Sequence, residues 1–266
     1  MPANEKHPSF FDTHVHLEEF DPLGTELAAA RSAGIGHFLI PGVAPAGWDR
    51  ILAAARAAAE VWAAPGVHPR AADQWNDATA HRLRNLLAEP KVAAIGEIGL
   101  DRMLPGPPLD IQERAFRAQL RLARENGLPV LIHCRKAWRQ TLDILREEKA
   151  PESGGILHAF SGSLETALEG ISLGFVIAFG GPLTYPNGRR IPEVLKAIPA
   201  AAIVLETDAP DLSPHPHRGE RNRPVHLLVI ARKTAEIRGW TLAETAAITT
   251  ANALRILTRI RSGRPL

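Results

Sequence analysis

Apolar residues along this chain gather into eight short β-branched or aliphatic runs, near residues 10–16, 36–42, 61–67, 92–97, 129–134, 155–160, 174–180 and 203–208. Runs of this length bounded by turn residues read as buried strands. Between them lie longer stretches with helical character, such as residues 25–34, 48–60 and 112–127, the first and last closing on a glycine as helices often do. Strand and helix alternate without internal repeats or low-complexity linkers. Eight such alternations predict an α/β fold, a (β/α)8 TIM-type barrel, in preference to a doubly wound open sheet. No Gly-x-Gly-x-x-Gly turn follows an early strand to suggest a dinucleotide site. The Ala-rich segments 51–64 and 197–202 read as helix and helix-end sequence, because aliphatic residues recur through them.

A length of 266 residues, 45% of them hydrophobic, suits one barrel domain of roughly 250 residues. The domain is expected to span 1–266, with an ordered core over 8–258 and a frayed Arg-rich tail after Ile260. Lys and Arg number 31 against 29 Asp and Glu, so despite a pI near 8.9 no strong global field advertises a partner. One cysteine, Cys134, excludes an intrachain disulfide and fits a reducing compartment. The first eight residues lack the apolar core of a signal peptide, and no apolar run approaches membrane-spanning length. A cytoplasmic protein without a membrane partner is expected; the sequence sets no oligomeric state.

The chemistry is concentrated at the strand ends, which in a barrel of parallel strands converge on one face, so the active site is expected at their C-terminal ends. In S-F-F-D-T-H-V-H, alternation sends His14 and His16 to one side and Val15 to the other. The run V-A-A-I-G-E-I-G-L-D offers Glu97, whose two oxygens suit bridging of two ions. P-V-L-I-H-C-R supplies His133, G-G-I-L-H-A-F supplies His158, and A-A-I-V-L-E-T-D-A-P supplies Asp208. A lone histidine at a strand end is more often a hydrogen-bonded structural residue than a ligand, and that reading is kept for His37, His81 and His226. For several separate strand ends the balance reverses, because aliphatic surroundings gain nothing from a buried ionisable group. Mixed imidazoles and carboxylates suit zinc, manganese, iron or nickel better than all-oxygen calcium. Cys134 is turned away from His133 by strand alternation and is read as a packing residue.

Seven motifs resemble, over nearly the whole chain, the TatD-type metal-dependent deoxyribonucleases of the amidohydrolase-like barrels. They are D-T-H-V-H-L at 12–17, P-G-V-H-P at 65–69, G-E-I-G-L-D at 96–101, L-P-V-L-I-H-C-R at 128–135, H-A-F-S-G-S at 158–163, L-E-T-D-A-P at 205–210 and P-H-R-G-E-R-N-R-P at 216–224. The resemblance implies two divalent ions, from among Zn, Mn, Mg, Fe and Ni. His14, His16 and Asp208 would hold one, His133 and His158 the other, with Glu97 shared. It further implies an exodeoxyribonuclease trimming single-stranded DNA ends from 3′ to 5′. Relatives that remove D-amino acids from tRNA make a carbonyl hydrolase, such as a D-aminoacyl-tRNA deacylase, the alternative. Carbonyl-directed barrels of the superfamily often bridge their metals with a modified lysine on the fourth strand, where this chain has Glu97. Arg102 and Met103 stand where the family often has aromatics, and H-A-F where it often has H-C-F or H-S-F; these departures bear on substrate preference.

Two ions roughly 3.5–4 Å apart lower the pKa of a bridging water and clamp a phosphoryl oxygen. Asp208 is the candidate to orient that water and take its proton. His68, in the loop after the third strand, is placed to contact the phosphate or protonate the leaving oxygen, with a structural role as the even alternative. Arg135, Arg218 and Arg221, with Asn222 and Arg223, are candidates to grip phosphates, Arg218 foremost. Loops after strands seven and eight are where barrels often bind phosphate; a solvated charged loop is the alternative. Asp101 is expected either to hydrogen-bond a ligand histidine or to cap its loop. Trp75 and Trp138 are candidates for the cavity mouth, with packing as the alternative.

Overall fold

A computed structural model describes residues 9–149, 152 and 154–262. The first residue of the expected core, Pro8, the residues before it, and tail residues 263–266 lie outside the described residues. The strands are β1 (Phe10–Asp12), β2 (Ile35–Pro41), β3 (Val61–Ala64), β4 (Ile95–Asp101), β5 (Val130–Arg135), β6 (Gly155–Leu157), β7 (Phe175–Phe179) and β8 (Ile203–Leu205). The helices are α1 (Leu23–Ser32), α2 (Trp48–Ala57), α3 (Asp77–Leu86), α4 (Leu109–Glu125), α5 (Trp138–Glu147), α6 (Leu164–Ser172), α7 (Arg190–Ala197), α8 (Leu227–Arg238), α9 (Leu242–Ile256) and α10 (Thr258–Ser262). Gly34 and Gly127, just past α1 and α4, adopt positive φ, which is the reason those helices stop at glycine.

All strand pairs are parallel, in two ladders ordered β1-β2-β3 and β4-β5-β6-β7-β8. Two seams close the ring. At the first, Ala63 bridges Val92, and the Ala93 amide donates to the Ala63 carbonyl. At the second, the Thr13 amide donates to Leu205 O, Asp208 N to His14 O and His16 N to Ala209 O. The result is the expected (β/α)8 barrel.

Alternation along the strands sorts the core into two layers. Phe11, Leu39, Leu131, Ile156, Val176 and Val204 fill the barrel interior, where Ala253, Ile256 and Leu257 at the end of α9 join them. Outward-facing partners such as Val130, Ile132, Ile177 and Ile203 pack under the helices. The lower barrel is therefore a solid apolar plug, and polar residues are confined to its upper end.

Strand limits differ from the apolar runs in an instructive way. β1, β6 and β8 end early, so His14, His158 and Asp208 sit on the chain leaving each strand. Phe11 faces the interior and so does His14, so alternation slips by one between them; beyond the slip His14 and His16 share a side and Val15 packs outward, as expected. β4 starts at Ile95 and runs on to Asp101, which places Glu97 within the strand. There Ile95 pairs with Val130 but Ile98 with Ile132, three steps on β4 facing two on β5. This bulge frees the Glu97 amide to donate to Gly42 O at 2.9 Å and re-aims the side chain. Gly99, with φ +147°, is required beside it: a Cβ there would lie 1.9 Å from the His133 carbonyl oxygen.

No helix among the described residues is long and apolar enough to cross a membrane.

Truncating the fully buried Leu131 to alanine is expected to lower the unfolding free energy by about 2–5 kcal/mol, because the plug cannot collapse around the void. Urea denaturation of metal-stripped protein measures it; an unchanged midpoint would contradict the interior placement.

Candidate metal centre

The strand ends converge as expected, and Glu97 lies at their centre with 4% of its surface exposed. Its Oε1 is 2.6 Å from His133 Nδ1, 3.7 Å from His158 Nε2 and 3.8 Å from His68 Nε2. Its Oε2 is 3.5 Å from His14 Nε2. Asp208 forms a second acidic focus: Oδ1 is 3.6 Å from His14 Nε2 and 3.8 Å from His16 Nε2, and Oδ2 is 3.8 Å from His158 Nε2. Three groupings have the spacing of a cation site: His14, His16 and Asp208; His14, Glu97 and His158; and His68, Glu97 and His133.

The residues fit a divalent cation. Both ring nitrogens of the fully buried His14 lack any hydrogen-bond partner, and an orphaned buried polar group costs about 1–3 kcal/mol unless something fills its place. Three other imidazoles have one nitrogen held by an outer carboxylate, which leaves the opposite nitrogen facing inward. His158 Nδ1 pairs with Glu206 Oε2 at 2.9 Å, His16 Nδ1 with Glu18 Oε1 at 3.4 Å, and His133 Nε2 with Asp101 Oδ2 at 3.2 Å. Asp101 thus makes the expected bond to a candidate ligand histidine, and it also accepts from the Met103 amide.

His68 is arranged differently. Its Nδ1 accepts from the Arg70 amide at 3.0 Å, so in the neutral ring the proton sits on Nε2 and points toward Glu97. Burial pushes its pKa down to about 4, which keeps the ring neutral. In that tautomer it offers a donor, not a lone pair, to the centre.

The charges of this cluster are strongly coupled. Burial opposes ionisation of Glu97, but His158, His68, His133 and His14 outweigh it and hold the carboxyl well below the usual range. Burial also opposes protonation of His133 and His158; Glu97 and Asp101 lift the first to about 9, and Glu206, Asp208 and Glu97 lift the second to about 10. Burial drives His14 well below its ordinary value, with His158 adding to the effect. Asp208 is raised to about 6 by burial, against the pull of His158 and His16.

Above the cluster opens a cavity of about 1010 Å³ whose lining includes His16, His68, Glu97, His133, His158 and Asp208. Arg135 lines it too. Arg218 and Arg221 are not among the lining residues: the Arg218 guanidinium lies over the Tyr185 ring, and Arg221 lies over Phe20 and donates to Glu19 O. Arg223 pairs with Glu26. Asn222, grouped with these cations in the sequence, is instead fully buried and fastens the loop after β8 by donating to Thr207 O and Asp211 O. Trp75 and Trp138 pack against the core, Trp138 against Phe160, and neither lines the cavity. Cys134 accepts from Thr141 Oγ1, and burial pushes its thiol up to about 11, as suits a packing residue. His37, His81 and His226 stay outside the cluster.

Glu206 and Arg70 escaped the sequence reading. Glu206, fully buried, accepts from His158 and from the Ala159 amide at 2.7 Å. Its signal was available: it precedes Asp208 by the same two-residue step that joins His14 to His16. Arg70 follows His68 and lines the cavity, but nothing in its local pattern marks it.

Two outcomes follow from the proton positions. Because His133 and His158 hold protons at pH 7 and a cation needs their lone pairs, cation binding should release protons and weaken as pH falls toward 5; calorimetry in buffers of differing ionisation enthalpy reads the release, and pH-independent binding would contradict it. Glu206→Gln should weaken cation affinity about 10–100-fold with the fold retained, measured by chelator competition.

The sequence matches the TatD-related DNase family over residues 11–258. It is 39% identical over 249 residues to the metal-dependent hydrolase YabD of Bacillus subtilis, covering 92% of this chain and 98% of YabD. It is 38% identical over 255 residues to the 3′-5′ ssDNA/RNA exonuclease TatD of Cronobacter sakazakii, covering 92% and 97% of the two chains. The crystal structure of YjjV, a TatD homologue from Escherichia coli K12, superposes with a TM-score of 0.88 at 32% identity, covering 93% of this chain and 97% of YjjV. With a parallel barrel, a clustered His/Glu/Asp centre and matches along nearly its whole length, the chain belongs to the TatD-related DNase family of metal-dependent hydrolases.

Proposed function

We propose that this protein is a phosphodiesterase that trims single-stranded DNA from its 3′ end. One observation carries the reading: the cavity over Glu97 and Asp208 has a floor, because the barrel below it is plugged by apolar side chains. Such a floor bars a polynucleotide from threading through the barrel and suits entry of a chain end from above. The Cronobacter sakazakii relative, named a 3′-5′ ssDNA/RNA exonuclease, supports the polarity and the substrate class. Glu97 on the fourth strand supports phosphodiester over carbonyl chemistry.

Two divalent cations, one held by His14, His16 and Asp208 and the other by His133 and His158 with Glu97 between them, would supply the charge that activates water and neutralises phosphoryl oxygens. The chain's own residues do the rest. Asp208, at the acidic focus beside His14, His16 and His158, orients the attacking water and takes its proton. His68 Nε2–H donates a hydrogen bond to the leaving oxygen; a ring whose pKa is about 4 contributes a polarised donor and not a full proton at pH 7. Glu206, Asp101 and Glu18 hold the imidazoles in one orientation, so little reorganisation accompanies the reaction. Arg135 at the rim grips a substrate phosphate. The single buried thiol suits the reducing cytoplasm as the place of action.

Metal-stripped protein, given Mg, Mn or Zn, should shorten an end-labelled single-stranded oligonucleotide stepwise from the 3′ end. Asp208→Asn should reduce turnover by about 10²–10⁴-fold while retaining at least one ion, and Glu97→Ala should lose bound metal. Intact oligonucleotide in the presence of demonstrably bound metal would move the assignment to carbonyl hydrolysis, with D-aminoacyl-tRNA as the next substrate to assay.

A further inference from the structure

The mouth of the cavity is electrically divided. Arg70, on the turn after β3, and Arg135, the last residue of β5, line one side. Glu18 and Asp211, on the segments leaving β1 and β8, line the other. In a ring closed in the order β1 to β8, the β3–β5 arc lies across the mouth from the β8–β1 arc.

Most cations near the mouth are already committed. Arg50 pairs with Glu19 at 2.6 Å, Arg223 with Glu26, and Arg218 and Arg221 lie over aromatic rings. Arg70 and Arg135 are exposed, and among the described residues neither guanidinium makes a salt bridge or side-chain hydrogen bond, although Arg135 lies close enough to Asp101 to favour its ionised form. Across from them, Glu19 is neutralised by Arg50, but Asp211 is exposed without a cation partner among the described residues. Glu18 has only 5% of its side chain exposed; its Oε1 faces His16, and its buried Oε2 has no donor among the described residues. The exposed Asp211 carboxylate on this side is matched by a hydroxyl and mismatched by another anion.

We propose that the cavity reads the chemistry of the chain end: Arg70 and Arg135 take the phosphodiester of the terminal link, while the Glu18 and Asp211 side receives the terminal sugar hydroxyl and turns away a terminal phosphate. This rests on the nuclease reading above and adds a second phosphate-gripping arginine and an end preference to it. Arg70 also couples the grip to the centre, since its own amide fixes the His68 tautomer.

Binding and turnover separate the two claims. In fluorescence anisotropy with the Asp208→Asn protein and Mn, a 5′-fluorescein oligonucleotide ending in a 3′-hydroxyl should bind on the order of tenfold more tightly than one ending in a 3′-phosphate. Adding Asp211→Asn should shrink that ratio to about threefold or less. Adding Arg70→Gln should weaken both ligands alike and reduce the salt dependence by about one phosphate contact, near 0.7 in the log–log slope for a single strand. Equal affinity for the two ends, or a ratio untouched by Asp211→Asn, would overturn the division of the mouth. If the hydroxyl end is preferred but wild-type enzyme shortens neither oligonucleotide, the division stands and the nuclease reading falls. If neither oligonucleotide binds, both fall.

Discussion

Everything at the upper end of this barrel follows from the ionised carboxylate of Glu97, held away from water. An uncompensated charge in that position costs several kcal/mol, so its surroundings must supply positive charge and donors from nearly every direction. His133 and His158 supply charge, and His68 turns its Nε2–H toward the carboxylate, from three different elements of the ring. Each buried imidazole then creates a demand of its own, answered by Asp101 for His133, Glu206 for His158, the Arg70 amide for His68 and Glu18 for His16. Among the described residues of the cluster, His14 is left with both nitrogens unanswered, and that is where the donor set is most clearly shaped for a cation.

The same demand accounts for irregularities in the barrel. A regular strand alternates its side chains, and regular alternation cannot deliver Phe11 to the plug and His14 to the centre. The slip after β1 and the bulge in β4 supply the missing half-steps, with Gly99 allowing β4 to lie against the His133 backbone. The loosened β8–β1 seam is bolted by Asp12, which accepts from the Thr207 amide at 2.8 Å and lies 2.5 Å from its hydroxyl, and burial pushes that carboxyl up to about 8. Asn222 then ties the long loop after β8 to the same point through Thr207 O. Regularity is given up where chemistry is placed, and hydrogen bonds from neighbouring segments make good the loss.

Below the centre the barrel has no such conflict. Interior positions from Phe11 to Val204 are aliphatic or aromatic and sealed from solvent, so the cavity ends in a floor. The plug bounds the cavity from below. It also keeps water out from beneath the charged groups, which strengthens each electrostatic contact above it.

The eight apolar runs and the ligand-type residues following them were enough to anticipate the barrel and the convergence of His14, His16, Glu97, His133, His158 and Asp208 at one end of it, because period-two patterning and parallel strand ends are local or nearly local properties. Glu206 was legible in principle through its two-residue step from Asp208, yet its role as the partner of His158 spans 48 residues of chain and exists only once β6 and β8 enter one ring. The arginines show the limit most clearly. A guanidinium's task depends on whether an acid, a carbonyl or an aromatic face reaches it first, and those competitors come from distant segments: Phe20 and Glu19 for Arg221, Tyr185 for Arg218, Glu26 for Arg223. Sequence thus decided which ligand-type residues meet at the barrel mouth, since their identity and spacing are written along the chain. Only the tertiary structure decided which of the cations remain free to meet a substrate, since partnership is settled by closure of the ring.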